Sequence, residues 1–148
     1  MVTWESVASD GSQANERSAG ASISGDGRFV AFFSDASNLV AGDANGTRDA
    51  FVHDRRHRGR ERGERGTQAS GFSTPPRISA NGRFVAFAAF ATNLVPGDTN
   101  GTLDVFVRDR LTGTTERASV ASDGTTRTLA ASSLTATART SSSTARRE

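Results

Sequence analysis

The residues best suited to chemistry lie in two short acidic stretches, GDANGTRD at residues 42–49 and GDTNGTLD at 97–104. Asp43, Asn45, Thr47 and Asp49 place side-chain oxygens at alternate positions, and Asp98, Asn100, Thr102 and Asp104 repeat the pattern. Clustered hard oxygens are what Ca2+ prefers, and the spacing resembles the start of a calcium loop. It departs from the EF-hand in two ways. Gly46 and Gly101 stand at the fourth position rather than the sixth, and no bidentate Glu follows at the twelfth. A turn explains the same residues: Asn-Gly supplies positive φ and Asp caps backbone N–H groups. The turn is the preferred reading, with Ca2+ the one cofactor that the residues suggest.

The second charged feature is RRHRGRERGER at 55–65, with six Arg in eleven residues. Arg/Gly-rich segments bind polyanions by counterion release. This one has no aromatic residue for base stacking, and Glu61 and Glu64 dilute its charge. A solvated loop is the expectation, and nucleic acid is not expected as a partner. Catalysis has little to build on. His53 and His57 are the only histidines, both beside the Arg run. Neither a nucleophile–base–acid arrangement nor a His-rich metal set emerges from them. Asp54 and Asp109, each at a strand end, read as turn or cap residues. The chain is not expected to be an enzyme.

The elements that carry these loops are set by an internal repeat. ISGDGRFVAFFSDASNLVAGDANGTRDAFVHDR (23–55) and ISANGRFVAFAAFATNLVPGDTNGTLDVFVRDR (78–110) align without gaps at an offset of 55, with 22 of 33 positions identical. A shorter element recurs as SVASDGS at 6–12 and SVASDGT at 119–125. Asp26-Gly27 and Asn81-Gly82 predict two-residue type I′ hairpins, in which both central residues take positive φ. The runs from Arg28 and Arg83 are almost continuously apolar, which predicts strands covered on both faces. DAFVHD (49–54) and DVFVRD (104–109) are the next strands, and Thr112-Gly113 turns into a fourth. Four short antiparallel strands per unit describe a propeller blade. A sandwich of duplicated hairpins is the alternative.

The ISGDGRFVAF and ISANGRFVAF segments, the DVFVRD-type strand and the TGTTER turn resemble the TolB-type (WD-repeat-like) β-propeller family. Its S-x-D-G-R hairpin is matched by Ser24, Asp26, Gly27 and Arg28, and by Ser79, Gly82 and Arg83, with Asn81 replacing the Asp. The resemblance covers 1–56 and 67–125. It implies an all-β partial propeller of two consecutive four-stranded antiparallel blades, and a periplasmic or secreted setting. Residues 1–8 are expected as the outer strand of a preceding blade. Residues 9–66 and 67–125 are the two blade-like repeats, and 126–148 a disordered tail rich in Ser, Thr, Ala and Arg. Propellers host many functions, so the resemblance specifies fold rather than activity. The expected role is a non-catalytic binding or scaffold module for a protein or glycan. The alternative is a calcium-stabilised repeat of an exported protein.

Composition agrees with this picture. Hydrophobic residues are 34% of the 148, Gly numbers 15, and there is no Cys, so no disulfide framework or thiolate metal site arises. All 18 basic residues are Arg, and the net charge is +2. MVTWESVASDG lacks the basic and apolar regions of a signal peptide. No segment reaches the roughly 18 apolar residues of a membrane span.

Two blades cannot close a ring, which takes about four to eight. Each end therefore leaves a blade face to be covered by further blades or by self-association. The first unit also departs from the second. RHRGRERGERG (56–66) has no apolar residue and stands where the second unit continues into TTERASV. If VSVAS is written GTG AGC GTG GCG AGC, reading one nucleotide earlier gives Glu-Arg-Gly-Glu, the sequence of Glu61–Glu64. Shifted codons for Ser133–Ala136 likewise spell Ala-Asp-Gly. A truncated or frame-shifted remnant with no independent function is thus a further reading. The nucleotide sequence decides it: no single-base indel restoring repeats in both places would end the idea.

Overall fold

A computed structural model describes residues 5–8, 10–56 and 68–120. The Arg-rich segment from His57 onward, with His57 itself, and the 126–148 tail lie outside the described residues. The fold is all-β, a partial β-propeller of two antiparallel sheets that do not close on each other. Sheet 1 runs β1 (Ser18–Ile23), β2 (Phe29–Ser34), β3 (Asp49–Asp54). Sheet 2 runs β4 (Arg77–Ile78), β5 (Phe84–Ala89), β6 (Asp104–Asp109), β7 (Thr114–Arg117). Strands neighbouring in sequence are neighbours in space, as in consecutive propeller blades. Sheet 1 has three strands among the described residues; the segment expected to follow β3, residues 57–66, lies outside them. Among the described residues no helix is long and apolar enough to cross a membrane. Val7, in the segment expected as a preceding blade's outer strand, forms an isolated bridge with Gln13.

The sequence repeat becomes a repeat of register. Phe32 stands opposite Phe51, and Phe87 opposite Phe106. Their ring centroids lie 5.8 and 5.9 Å apart. Each pair seeds a separate core. Val30, Phe32, Ala36 and Leu39 pack with Ala14 and Phe51 in the first repeat. Ala69, Ala89, Ala91 and Phe106 pack with Phe87, Leu94 and Val95 in the second. β2 is buried from Val30 to Ser34, as a strand covered on both faces should be. β5 is covered less completely, and Phe84 at its start is 39% exposed.

β4 is only two residues long, while β1 has six. Pro75 and Pro76 stand before it, and proline has no N–H to give to the ladder. Pairing resumes on their far side, where Ser73 bridges Ala89.

The type I′ hairpins are not formed. No residue other than Gly has positive φ among the described residues, so Asp26 and Asn81 are excluded from the left-handed region. The loop is longer than two residues. A turn closes from Ser24 to Gly27 (Gly27 N to Ser24 O, 2.9 Å), and only Gly27 is left-handed, at φ +68°. The Asp26 carboxylate accepts from Ser24 Oγ at 2.6 Å and Arg28 N at 3.0 Å, which holds Asp26 out of the left-handed region. Ser79, Asn81, Gly82 and Arg83 repeat this turn. Asp54 and Asp109 do cap turns: they accept from Arg56 N and Leu111 N at 3.1 and 2.9 Å. Each also receives a two-pronged grip from the arginine of the hairpin opposite, Arg28 or Arg83.

The sheets meet through β1, β2 and β4. Gly25 N donates to Ala80 O (2.8 Å), Ser73 N to Arg48 O (2.7 Å) and Ile78 N to Ser22 Oγ (3.3 Å).

Candidate functional site

The two oxygen-rich loops lead into β3 and β6, whose first residues are Asp49 and Asp104. In the first loop Asn45 is the organiser. Its Oδ1 accepts from Thr47 N at 2.9 Å, and its amide nitrogen donates to Asp49 Oδ2 and Ala69 O, both at 2.9 Å. Gln68 Nε2 donates to Asp43 Oδ1 at 2.6 Å. Asp49 is buried, and burial pushes its carboxyl above the usual carboxylate range. The Asp43 charge pushes it the same way, while hydrogen bonds from Asn45 and Gln68 pull back.

The second loop reuses this scheme with a different counter-charge. Asn100 Nδ2 donates to Asp104 Oδ2 at 2.9 Å and Asn100 Oδ1 accepts from Thr102 N at 3.1 Å. Ser119 Oγ donates to Asp104 Oδ1 at 2.6 Å and accepts from Val105 N at 3.2 Å. Arg117 Nη1 lies 3.0 Å from Asp98 Oδ1 and 3.8 Å from Asp104 Oδ2. The guanidinium thus stands where a cation between these carboxylates would stand.

The geometry is that of Asn-anchored turns. Ca2+ takes about six to eight oxygens. In the first loop, amide N–H groups are turned toward both carboxylates. In the second, Arg117 already neutralises the pair. Thr47 Oγ1 and Thr102 Oγ1 are buried without a hydrogen-bond partner. Among the described residues no three Asp, Glu, His or Cys side chains gather as a metal site. As they stand, the residues present do not fit the ion.

Sequence reasoning missed Gln68, Ser119 and Arg117. Ser119 carried a faint signal as part of the recurring SVASDG element. Arg117 carried none, because its partner Asp98 is 19 residues away on another element.

A cavity of about 590 Å3 opens beside the first loop, between β3 and the face of sheet 2. Phe51, Val52, Val85, Phe87 and Leu94 supply its apolar surface. Asp43, Asp49, Gln68, Arg108, Arg110 and Thr115 supply its polar lining. Arg108 Nη1 donates to Thr115 Oγ1 at 3.1 Å and Arg110 Nη1 to Gly82 O at 2.6 Å, so both guanidinium groups are held in place. His53 is buried on β3, with Nε2 3.6 Å from Glu5 Oε2. It is not among the residues lining this cavity.

No protein-family model and no curated protein matches the chain. Among solved structures, the crystal structure of TolB from Acinetobacter baumannii aligns with 74% of this chain and 22% of its own, at a TM-score of 0.47 and 16% identity. The chain therefore spans about a fifth of that protein's length.

Proposed function

We propose that this chain is a non-catalytic, propeller-type binding module that takes an extended segment of a protein partner into the groove between β3 and sheet 2. The observation that carries the proposal is the groove itself. It is concave and floored by aromatic and aliphatic side chains, with a few fixed polar groups, as ligand sites usually are. Carboxylates and guanidinium groups both line it. An extended peptide presents side chains of both signs to opposite sides together with apolar side chains. A periplasmic or secreted setting, which the family resemblance implies, belongs to this proposal.

The test is to pan displayed random short peptides on the intact chain. Peptides mixing charged and apolar residues are expected, with binding abolished by Arg108→Glu at unchanged far-UV circular dichroism. Binders indifferent to Arg108→Glu, or no binders, would overturn the proposal. Retention on a glycan array in place of peptides would make the partner a carbohydrate.

A further inference from the structure

The junction between the two sheets is a template whose two halves are both displayed again at the ends of the pair. At the junction, Phe29 of sheet 1 lies beneath Gly82 of sheet 2. A Cβ at position 82 would come within 2.3 Å of the Phe29 ring. The Arg110 guanidinium covers the same ring, 4.0 Å from its centroid, and Arg110 donates to Gly82 O at 2.6 Å. Gly82 and Arg110 thus form a clip over an aromatic ring, combining close backbone approach with a cation–π contact. Gly25 N donates to Ala80 O beside it.

Subtracting the repeat offset of 55 gives Gly27 and Arg55 as the equivalent clip on sheet 1. It is already assembled: Arg55 Nη1 donates to Gly27 O at 2.9 Å, and Glu5 Oε1 accepts from Arg55 Nε at 3.1 Å. The Arg55 side chain is 38% exposed. Among the described residues, a Cβ at position 27 would meet nothing closer than Arg55 Nη1 at 3.8 Å. Adding the offset to Phe29 gives Phe84, which is 39% exposed. One end of the pair therefore carries a clip and the other carries a ring.

We infer that this chain associates head to tail with a second copy of itself, the Gly27–Arg55 clip of one copy seated on Phe84 of the next. The two halves belong to different faces of the molecule, so the contact is heterologous, and such contacts form rings when the rotation closes. Propellers close at about four to eight blades, which two to four copies of a two-blade chain would supply. Ala80 N, equivalent to Gly25 N, would donate to Gly25 O of the next copy. One element changes: Arg77 stands where Ser22 accepts from Ile78 N within the chain. The inference does not depend on the groove reading, since Phe84 and Gly27 do not line the groove.

Sedimentation equilibrium of the intact chain tests it. The wild type is expected at two to four times the mass of one chain. Phe84→Asp and Arg55→Glu are each expected to be monomeric, with unchanged far-UV circular dichroism. An equimolar mixture of the two variants is the deciding arm. The Arg55→Glu chain keeps an intact Phe84 and the Phe84→Asp chain keeps an intact clip, so the mixture should form a heterodimer that neither variant forms alone. A monomeric wild type would overturn the inference. So would an oligomer that survives Phe84→Asp, or a mixture that stays monomeric, since the mixture holds one intact clip and one intact ring.

Discussion

Arg83 grips Asp109 from the adjacent strand with two parallel hydrogen bonds, Nε to Oδ1 at 3.0 Å and Nη2 to Oδ2 at 2.6 Å. Arg28 and Asp54 repeat the grip at 3.0 and 2.7 Å. Each pair ties the residue after a hairpin turn to the last residue of the facing strand. The Arg83 guanidinium is the main reason that the Asp109 carboxyl lies well below the usual carboxylate range. A carboxyl with a lowered folded pKa adds stability that is present above its unfolded pKa and disappears as pH falls toward the folded value. Melting temperature should therefore decline in acid, starting near pH 4, the ordinary carboxylate value, at about 3.9. Asp109→Asn should melt lower than the wild type at neutral pH, and the difference should shrink below pH 4. A difference that stays constant across that range would remove the ion pair from the explanation.

Arg117 is the counter-charge of two buried acids, and its own side chain is only 14% exposed. Removing one partner of a buried ion pair strands the other charge. Arg117→Ala should cost about 3–5 kcal/mol, read from the urea midpoint at constant slope. The double variant Arg117→Met with Asp98→Asn should recover part of that loss, because one of the two stranded charges is gone and only Asp104 is left without its counter-charge. Equal stability of the single and double variants would argue that Arg117 acts by packing alone.

The repeat made β2, β3, β5 and β6 legible, because strands that alternate and pair locally follow from apolar runs and an offset without gaps. The four-residue turns were less legible. Asp26-Gly27 and Asn81-Gly82 carry the type I′ signature, but the Asp26 and Asn81 side chains hold Ser24 and Ser79, a contact that the dipeptide does not disclose. The site was half legible. A turn was read at Asn45-Gly46 and Asn100-Gly101 with Asp as the cap, whereas the Asn side chains do the capping and only the glycines take positive φ; Arg117 reaches its acids only through tertiary packing. The shortening of β4 was written in Pro75 and Pro76.

Gly82 and Gly27 occupy equivalent positions in equivalent turns, yet they should respond differently to alanine. Both have positive φ, +71° and +68°. That alone costs a non-glycine residue about 1–2 kcal/mol. Gly82→Ala also drives a methyl into the Phe29 ring, and overpacking of this kind adds about 1–3 kcal/mol. Gly27→Ala meets no such neighbour among the described residues. Denaturant unfolding of monomeric protein in the Phe84→Asp background should show the larger loss for Gly82→Ala. Equal losses would mean that Phe29 yields and the sheet junction is soft.

Asp49 has the opposite pH sign to Asp109. Its folded pKa is raised, chiefly by burial. Its ionisation therefore costs stability once the pH exceeds the unfolded value, and the cost is complete above the folded one. Asp49→Asn keeps an acceptor for Asn45 and removes the charge. It should melt higher than the wild type at neutral pH, and the gain should vanish as the pH falls below the unfolded value, where the wild-type carboxyl is itself neutral. Millimolar calcium should leave both melting temperatures unchanged, since two amide donors already face the Asp43 and Asp49 carboxylates. A calcium-dependent rise in the wild type that Asp49→Asn abolishes would reverse this conclusion. It would show that an ion displaces the Asn45 and Gln68 amides and that the first loop is a calcium site.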